Sequence, residues 1–250
     1  MSVATSSTTS ALRMNWAEVE ARLNMEGHAL LPGFLSDDQV EDLTRVLHAH
    51  RTVSSSLEDE GIGRGRSLRL SEVIVPWIDV LRERLYEALV PIASRWAEAL
   101  ESPVRYPATL QEFLQLNVQA GQSRAQSFLT RLGEGDYQAL HQRVDGEHVF
   151  PIQVVGLLSD PEADFTGGEF VMTEQRPRMQ SRPMVLPLRK GDLAVIASAH
   201  RPHRGTKGYY RVNLKHAISR VRSGERTGLE LLLHHATRHS PSRWTREPGH

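Results

Sequence analysis

The sequence predicts an α+β chain, a helical first half packed as a layer on a β-sandwich or jelly roll. Three observations carry that expectation. Before Gly121, apolar residues recur at helical spacing behind two capping boxes. After Gly121, short apolar runs of β type are separated by Gly, Pro and Asp clusters such as Gly133-Glu134-Gly135-Asp136, Asp160-Pro161, Gly167-Gly168 and Gly191-Asp192. No stretch between the halves reads as a linker, so helices first and strands second describe one packed unit.

Element by element, residues 1–14 are rich in Ser and Thr and read as a disordered leader without a secretory n-region and h-region. Residues 15–124 form the mainly helical part. Trp16 to Met25 has the spacing of a short helix ended near Gly27, and His28 to Leu35 reads as a strand and turn. Ser36-Asp37-Asp38-Gln39 is a capping box, with Val40, Leu43, Val46 and Leu47 as the apolar stripe behind it. Residues 52–68 read as a mobile loop. Pro76 to Leu100 is a long amphipathic helix, kinked or broken at Pro91. Thr109-Leu110-Gln111-Glu112 is a second capping box, opening a helix that ends at Gly121. Residues 125–250 form the strand-rich core and a C-terminal tail. Strands are expected at Ser127–Leu132, Val149–Leu158, Glu169–Thr173, Met184–Leu188, Leu193–Ala197, Tyr209–Val221 and Leu229–His234.

Composition narrows the chemistry. With 30 basic and 30 acidic residues the chain has no global pull toward nucleic acid or anionic membranes. It has no cysteine, which removes disulfides, thiolate metal sites and cysteine nucleophiles and leaves His, Asp and Glu as metal ligands. No apolar run is long enough to span a bilayer. With no secretory signal, the cytoplasm is the expected compartment. No phosphate-cradling Gly-rich loop and no nucleophile elbow is present. The arginine-rich stretches (Arg64 to Arg69, Arg176 to Arg182, Arg220 to Arg226) read first as solvated surface, with a lid or cavity mouth as the functional reading. They lack interleaved aromatics, so nucleic acid is not an expected partner.

Of the 12 histidines, His141 and His200 stand out because each borders a predicted strand, where the mouth of a β-roll would be. Tyr137-Gln138-Ala139-Leu140-His141, Gly146 to Pro151, Phe165-Thr166-Gly167-Gly168-Glu169-Phe170, Gly191-Asp192, His200, Gly208 and Arg211 together resemble the 2-oxoglutarate/iron(II) oxygenase superfamily. They are similar to its bacterial branch related to prolyl hydroxylases and oxidative nucleic-acid demethylases. The resemblance covers roughly residues 125–236 and implies a double-stranded β-helix (jelly roll) under the N-terminal helical layer. It implies His141 and His200 as iron ligands and Arg211 as the cation that binds the distal carboxylate of 2-oxoglutarate, a bidentate task suited to a guanidinium. Tyr137 and Asn213 are candidate cosubstrate contacts, with ordinary sheet packing as the equal alternative. Arg211-Val212-Asn213-Leu214-Lys215 resembles the opening of the demethylases' Arg-x-Asn-x-Thr-x-Arg motif, but residue 217 is Ala where the second Arg belongs.

The pattern departs from the superfamily at Arg143. Two residues after the first His those enzymes carry a carboxylate that completes a two-His, one-carboxylate face. A guanidinium offers only donors and cannot ligate a cation. Three readings remain open. Asp145 substitutes as third ligand, which requires a bend at Gly146 because on a straight strand it lies roughly 13 Å along the chain from His141. Alternatively the metal is held by two histidines, as in related halogenases, with Arg143 holding an anion or a substrate carboxylate or phosphate. Or the site has lost iron and the chain is a non-redox jelly roll that binds an anionic ligand. The expected function is an iron(II)/2-oxoglutarate oxygenase that consumes O₂ and oxidises an unactivated C–H of a small molecule, an anionic one if Arg143 contacts it. Its substrate and oligomeric state are not readable from the sequence.

Overall fold

The computed structural model describes residues 14–50, 52 and 54–237. The leader expected at 1–14 lies outside these residues except for Met14, and so does the tail beyond Thr237. The described helices are α1 (Trp16–Glu26), α2 (Asp37–Ala49), α3 (Pro76–Ala99) and α4 (Leu110–Gln119). Both capping boxes form. Ser36 accepts from the Gln39 N–H while the Gln39 side chain accepts from the Ser36 N–H, and Thr109 and Glu112 do the same. α1 stops where Gly27 adopts φ 75, a left-handed conformation that glycine tolerates without strain, and returns its N–H to the Leu23 carbonyl. α3 is not broken at Pro91. That residue is exposed, so water can take the carbonyl whose partner proline removes.

The second half folds into two facing antiparallel sheets. The larger runs β1 (His28–Leu31), β12 (Leu193–Ala197), β8 (Ile152–Leu157), β16 (Arg226–Leu231), β6 (Phe128–Leu132), β4 (Arg66–Arg69) and β2 (Ser55–Ser56). The smaller runs β11 (Arg182–Leu186), β10 (Phe170–Gln175), β14 (Gly208–Ile218), β7 (Tyr137–His141) and β3 (Gly63–Arg64), with β13 (His200–Gly205) paired to the first half of β14. Two short pairs, β15 (Val221–Gly224) with β9 (Phe165–Gly167) and β17 (Ala236–Thr237) with β5 (Gln122–Arg124), close the ends. The arrangement is the jelly roll with an N-terminal helical layer that the sequence predicts.

Several details differ from expectation, among them β5, β7, β9 and β17, which lie outside the expected strands, and β14, which ends at Ile218 rather than Val221. The stretch 52–68 is not wholly loop, because it contributes β2, β3 and the start of β4 to the two sheets. The β13–β14 hairpin was not expected, and β16 begins at Arg226 rather than Leu229. Both β13 and the start of β16 are too polar to read as strands from pattern alone.

β8, β12 and β16 are buried along their whole length, as strands covered on both faces must be. One face meets Phe170, Met172, Val212, Leu214 and Ile218 of the smaller sheet, and the helical layer covers the other. Tyr86 of α3 and Phe113 of α4 clasp Phe150 beside β8, with ring centroids 4.9 and 5.9 Å away. Each such pair contributes about 1 kcal/mol beyond simple burial. This clasp fixes the helical layer over the strand that follows the His141–Arg143 segment.

Candidate metal centre

His141 ends β7 and lies directly across from His216 of β14, with the two imidazole centroids 4.3 Å apart. Directly opposed residues share a face of the sheet, and here both point into the roll. From the facing sheet, β16 contributes Glu230. One ligand atom each from His141, His216 and Glu230 lies within 4.8 Å of the others, and all three side chains are buried. Two imidazoles and a carboxylate converging in this way are the donor set of non-haem iron(II) oxygenase sites.

Local irregularity builds the site. The register of β7 against β14 shifts between His141↔His216 and Gln138↔Ile218, so three steps along β7 match two along β14. That extra residue is a β-bulge. It turns both Gln138 and His141 inward, although residues three apart on a regular strand face opposite sides. Gln138 Nε2 then donates to Glu230 Oε1 at 2.8 Å.

The protonation states suit ligation. His141 Nδ1–H donates to the Ala139 carbonyl at 2.8 Å, which leaves the Nε2 lone pair bare. That Nε2 is buried without a hydrogen-bond partner among the described residues. Burial, reinforced by the Arg143 cation, lowers the His141 pKa to about 4. Burial also holds His216 well below its usual value, with His141 and Arg143 adding to the effect. Both imidazoles are therefore neutral at pH 7, as metal ligands must be. His216 Nε2 contacts the Gln153 side-chain amide at 3.1 Å. Burial pushes the Glu230 carboxyl up, but Arg143, His141 and the Gln138 hydrogen bond outweigh it and hold it below the usual carboxylate range.

Arg143 is buried beside this cluster. Its Nη2 donates to Glu230 Oε2 at 3.3 Å, its Nη1 stands 3.8 Å from Glu60, and its guanidinium lies 5.0 Å from the Phe128 ring centroid. The carboxylate grouped with His141 and His216 is thus Glu230, from another strand, and Arg143 is its ion-pair partner. Asp145 is not part of the grouping. The bend at Gly146 does occur, with φ 118, but it packs against Gln122, whose Oε1 accepts from the N–H groups of Glu147 and His148. Asp145 stays half-buried outside the cluster.

His200, Arg211 and Asn213 lie elsewhere. On β14 the buried residues Val212, Leu214, His216 and Ile218 face inward, so Arg211 and Asn213 face outward. His200 lies across from Asn213 and shares that outer face. The structure therefore pairs His141 with His216, not with His200. His200 and Arg211 instead border a cleft of about 360 Å³ under α3, with Trp96 and Tyr106 on its other wall. Asn213 accepts from Gln142 Nε2 at 2.6 Å. Tyr137 is turned outward by the bulge, with Arg220 5.7 Å from its ring centroid.

Sequence reading missed His216, Glu230, Gln138 and Arg226. The signal for two of them was present, because Arg226 and Glu230 are charged residues four apart in an apolar strand, on one face of it. Arg226 is buried beside Phe165 and Gly168, donates through Nε to the Gly168 carbonyl at 2.8 Å, and has no ion-pair partner among the described residues. Burial lowers its pKa to about 10, with Glu230 opposing the shift, so it remains a cation. It borders a cleft of about 470 Å³. Gly228 lies between Arg226 and Glu230 on that face and leaves the guanidinium room, since a Cβ there would come within 2.8 Å of Arg226 Nη1.

A family model described as oxygenases catalysing oxidative methylation of damaged DNA matches residues 67–236. Two uncharacterized proteins, from two strains of Mycobacterium tuberculosis, are 42% identical over 159 residues, or 64% of this chain and 68% of theirs. Among solved structures, a prolyl-4-hydroxylase from Pseudomonas putida aligns with TM-score 0.52 and 12% identity over 86% of this chain and 96% of its own. A 2OG-Fe(II) oxygenase family oxidoreductase from Burkholderia pseudomallei aligns with TM-score 0.52 and 17% identity over 91% and 96%. A Trichoplax adhaerens prolyl hydroxylase, solved with a hypoxia inducible factor peptide, gives 0.51 and 14% over 89% of both chains. These structural likenesses speak to the fold.

Proposed function

The chain belongs to the oxygenase family matched over residues 67–236, and from that membership we propose that it is an iron(II)- and 2-oxoglutarate-dependent oxygenase whose metal is held by His141, His216 and Glu230. The observation that carries this reading is the convergence of those three buried donors within 4.8 Å, with a bare imidazole nitrogen among them. Such a centre, loaded with iron(II), couples conversion of 2-oxoglutarate and O₂ to succinate and CO₂ with insertion of one oxygen atom into a substrate C–H.

The protein's own groups then have distinct tasks. His141 is fixed in one tautomer by the Ala139 carbonyl. Gln138 and Arg143 aim the Glu230 carboxylate, one on each oxygen. A carboxylate has about four lone-pair sites, so both contacts leave it able to ligate. Arg226 is the buried cation suited to the distal carboxylate of 2-oxoglutarate, because it is on the inner face of the strand that carries Glu230 and lacks a carboxylate partner among the described residues. Burial excludes water and strengthens each of these contacts. His200 and Arg211, the sequence-based candidates for second ligand and anchor, share the outer cleft, where they are available to a substrate rather than to the metal.

Two substrate classes are in view. The depth of the buried cluster favours a small molecule or a group that can be inserted from the surface. The family description favours a damaged base in DNA. Anaerobic protein given iron(II) and then 2-oxoglutarate should develop a metal-to-ligand charge-transfer band. The Arg226→Gln variant should bind iron(II) normally yet need much more 2-oxoglutarate to produce it. No band at saturating iron would sink the oxygenase reading. Succinate release stimulated by a methylated single-stranded oligonucleotide would assign the DNA class, and its absence would leave the small molecule.

A further inference from the structure

Beside the metal cluster, two arginines share one aromatic ring and one carboxylate. The guanidinium carbons of Arg69 and Arg143 lie 5.1 and 5.0 Å from the Phe128 centroid. Glu60 reaches both, with Oε1 3.3 Å from Arg69 Nη2 and Oε2 3.8 Å from Arg143 Nη1. Glu60 sits on a turn tied down at its base, where the Leu57 N–H donates to Gly65 and the Ile62 N–H donates to Leu57, each at 3.1 Å. Leu57 and Ile62 are buried, whereas the Glu60 side chain keeps 18% of its exposure. The Nε of Arg143 is buried without a partner among the described residues.

We infer that Arg69 and Arg143 form an anion-binding site for a carboxylate or phosphate group of the substrate, and that Glu60 occupies it in the ligand-free protein. Two guanidiniums held against one ring suit a planar or tetrahedral oxyanion that bridges them. Glu60 bridges them as such an anion would, one oxygen to each. Its contacts are long for charge-assisted hydrogen bonds, and its partial exposure lets water receive it when it is displaced. Arg143 also touches Glu230 at 3.3 Å, so an anion bound here lies next to the metal centre. The site would therefore select an acidic substrate and set the distance of its C–H from that centre. Naming this ligand as the substrate rests on the oxygenase reading, whereas the anion site itself does not.

Calorimetric titration of the full chain with inorganic phosphate, and separately with acetate, tests the inference. Glu60→Gln removes the bridging competitor while leaving Glu72 3.7 Å from Arg69 Nε and Glu230 3.3 Å from Arg143 Nη2, and should raise affinity for the preferred anion by about tenfold, the scale of one charge-assisted contact. Glu60→Asp, too short to span both guanidiniums, should give a smaller rise in the same direction. Adding Arg69→Gln should abolish the gain. A larger gain for phosphate than for acetate assigns a phosphorylated substrate, and the reverse assigns a carboxylate. With Mn(II) in the metal centre, the phosphorus resonance of bound phosphate should broaden. If Mn(II) binds but both Glu60 variants take phosphate and acetate no better than the unaltered chain, the anion site is overturned. If Mn(II) fails to bind while the gain persists, the anion site stands and the metal assignment falls.

Discussion

Glu230 and Arg143 are each costly to bury alone, and each is tolerated because the other is there. Beside them the burial of neutral histidines ties stability to pH. His234 is fully buried, and neither ring nitrogen has a hydrogen-bond partner among the described residues. Burial, aided by His235 and Arg143, lowers its pKa from 6.5 to about 3. The unfolded chain takes up a proton near pH 6.5 that the folded protein refuses, so the unfolded state binds more protons below that pH. Stability contributed by the neutral ring is complete above pH 6.5 and is lost as pH falls toward 3, at about 1.4 kcal/mol per pH unit for each such histidine. His141, lowered to about 4, acts the same way in metal-free protein. Urea unfolding of metal-free protein between pH 7 and 5 should show this loss. The His234→Leu variant should reduce the slope by one proton, and an unchanged slope would rule His234 out as a source.

Among the elements, β16 carries both the carboxylate of the metal cluster and the buried cation, with Gly228 between them. Gly228→Ala would bring a Cβ within 2.8 Å of Arg226 Nη1 and 3.0 Å of Thr130 Oγ1. Forcing the guanidinium aside costs about 1–3 kcal/mol. The expected result is 2-oxoglutarate affinity lowered by about tenfold or more with iron(II) affinity kept. Loss of both would mean that the strand itself had shifted. In the larger sheet β1, β6, β8 and β12 were legible from apolar runs and glycine punctuation, and the helices from their caps, whereas β2 and β4 were hidden in a polar stretch and β16 was legible only in its second half. The site was legible only at His141 and, as a departure, at Arg143. The bulge in β7 is a property of pairing, so strand parity applied to the sequence favours Tyr137, four residues before His141, whereas the folded strand turns Gln138 inward. The spacing of His200 and Arg211 fits a ligand and anchor as well as that of His216 and Arg226. Only the facing of β13, β14 and β16 separates them, and facing depends on which residues pack into the roll.

For the whole molecule, the candidate metal cluster spans the two sheets, since His141 and His216 come from one and Glu230 from the other. A cation bound there ties β7, β14 and β16 together and stabilises the roll by mass action, about 2.7 kcal/mol at a hundredfold excess over its dissociation constant. Arg143 fits the same picture, because it neutralises Glu230 across the sheets in the absence of metal. In the proposed centre these three residues, and not His200, hold the metal. Anaerobic iron(II) titration of the unaltered chain and of His216→Ala, Glu230→Ala and His200→Ala, followed by calorimetry, tests this assignment most directly. Near-stoichiometric binding that weakens by about tenfold or more in His216→Ala and Glu230→Ala, and is unchanged in His200→Ala, is the predicted result. Binding lost in His200→Ala and retained in His216→Ala would contradict it.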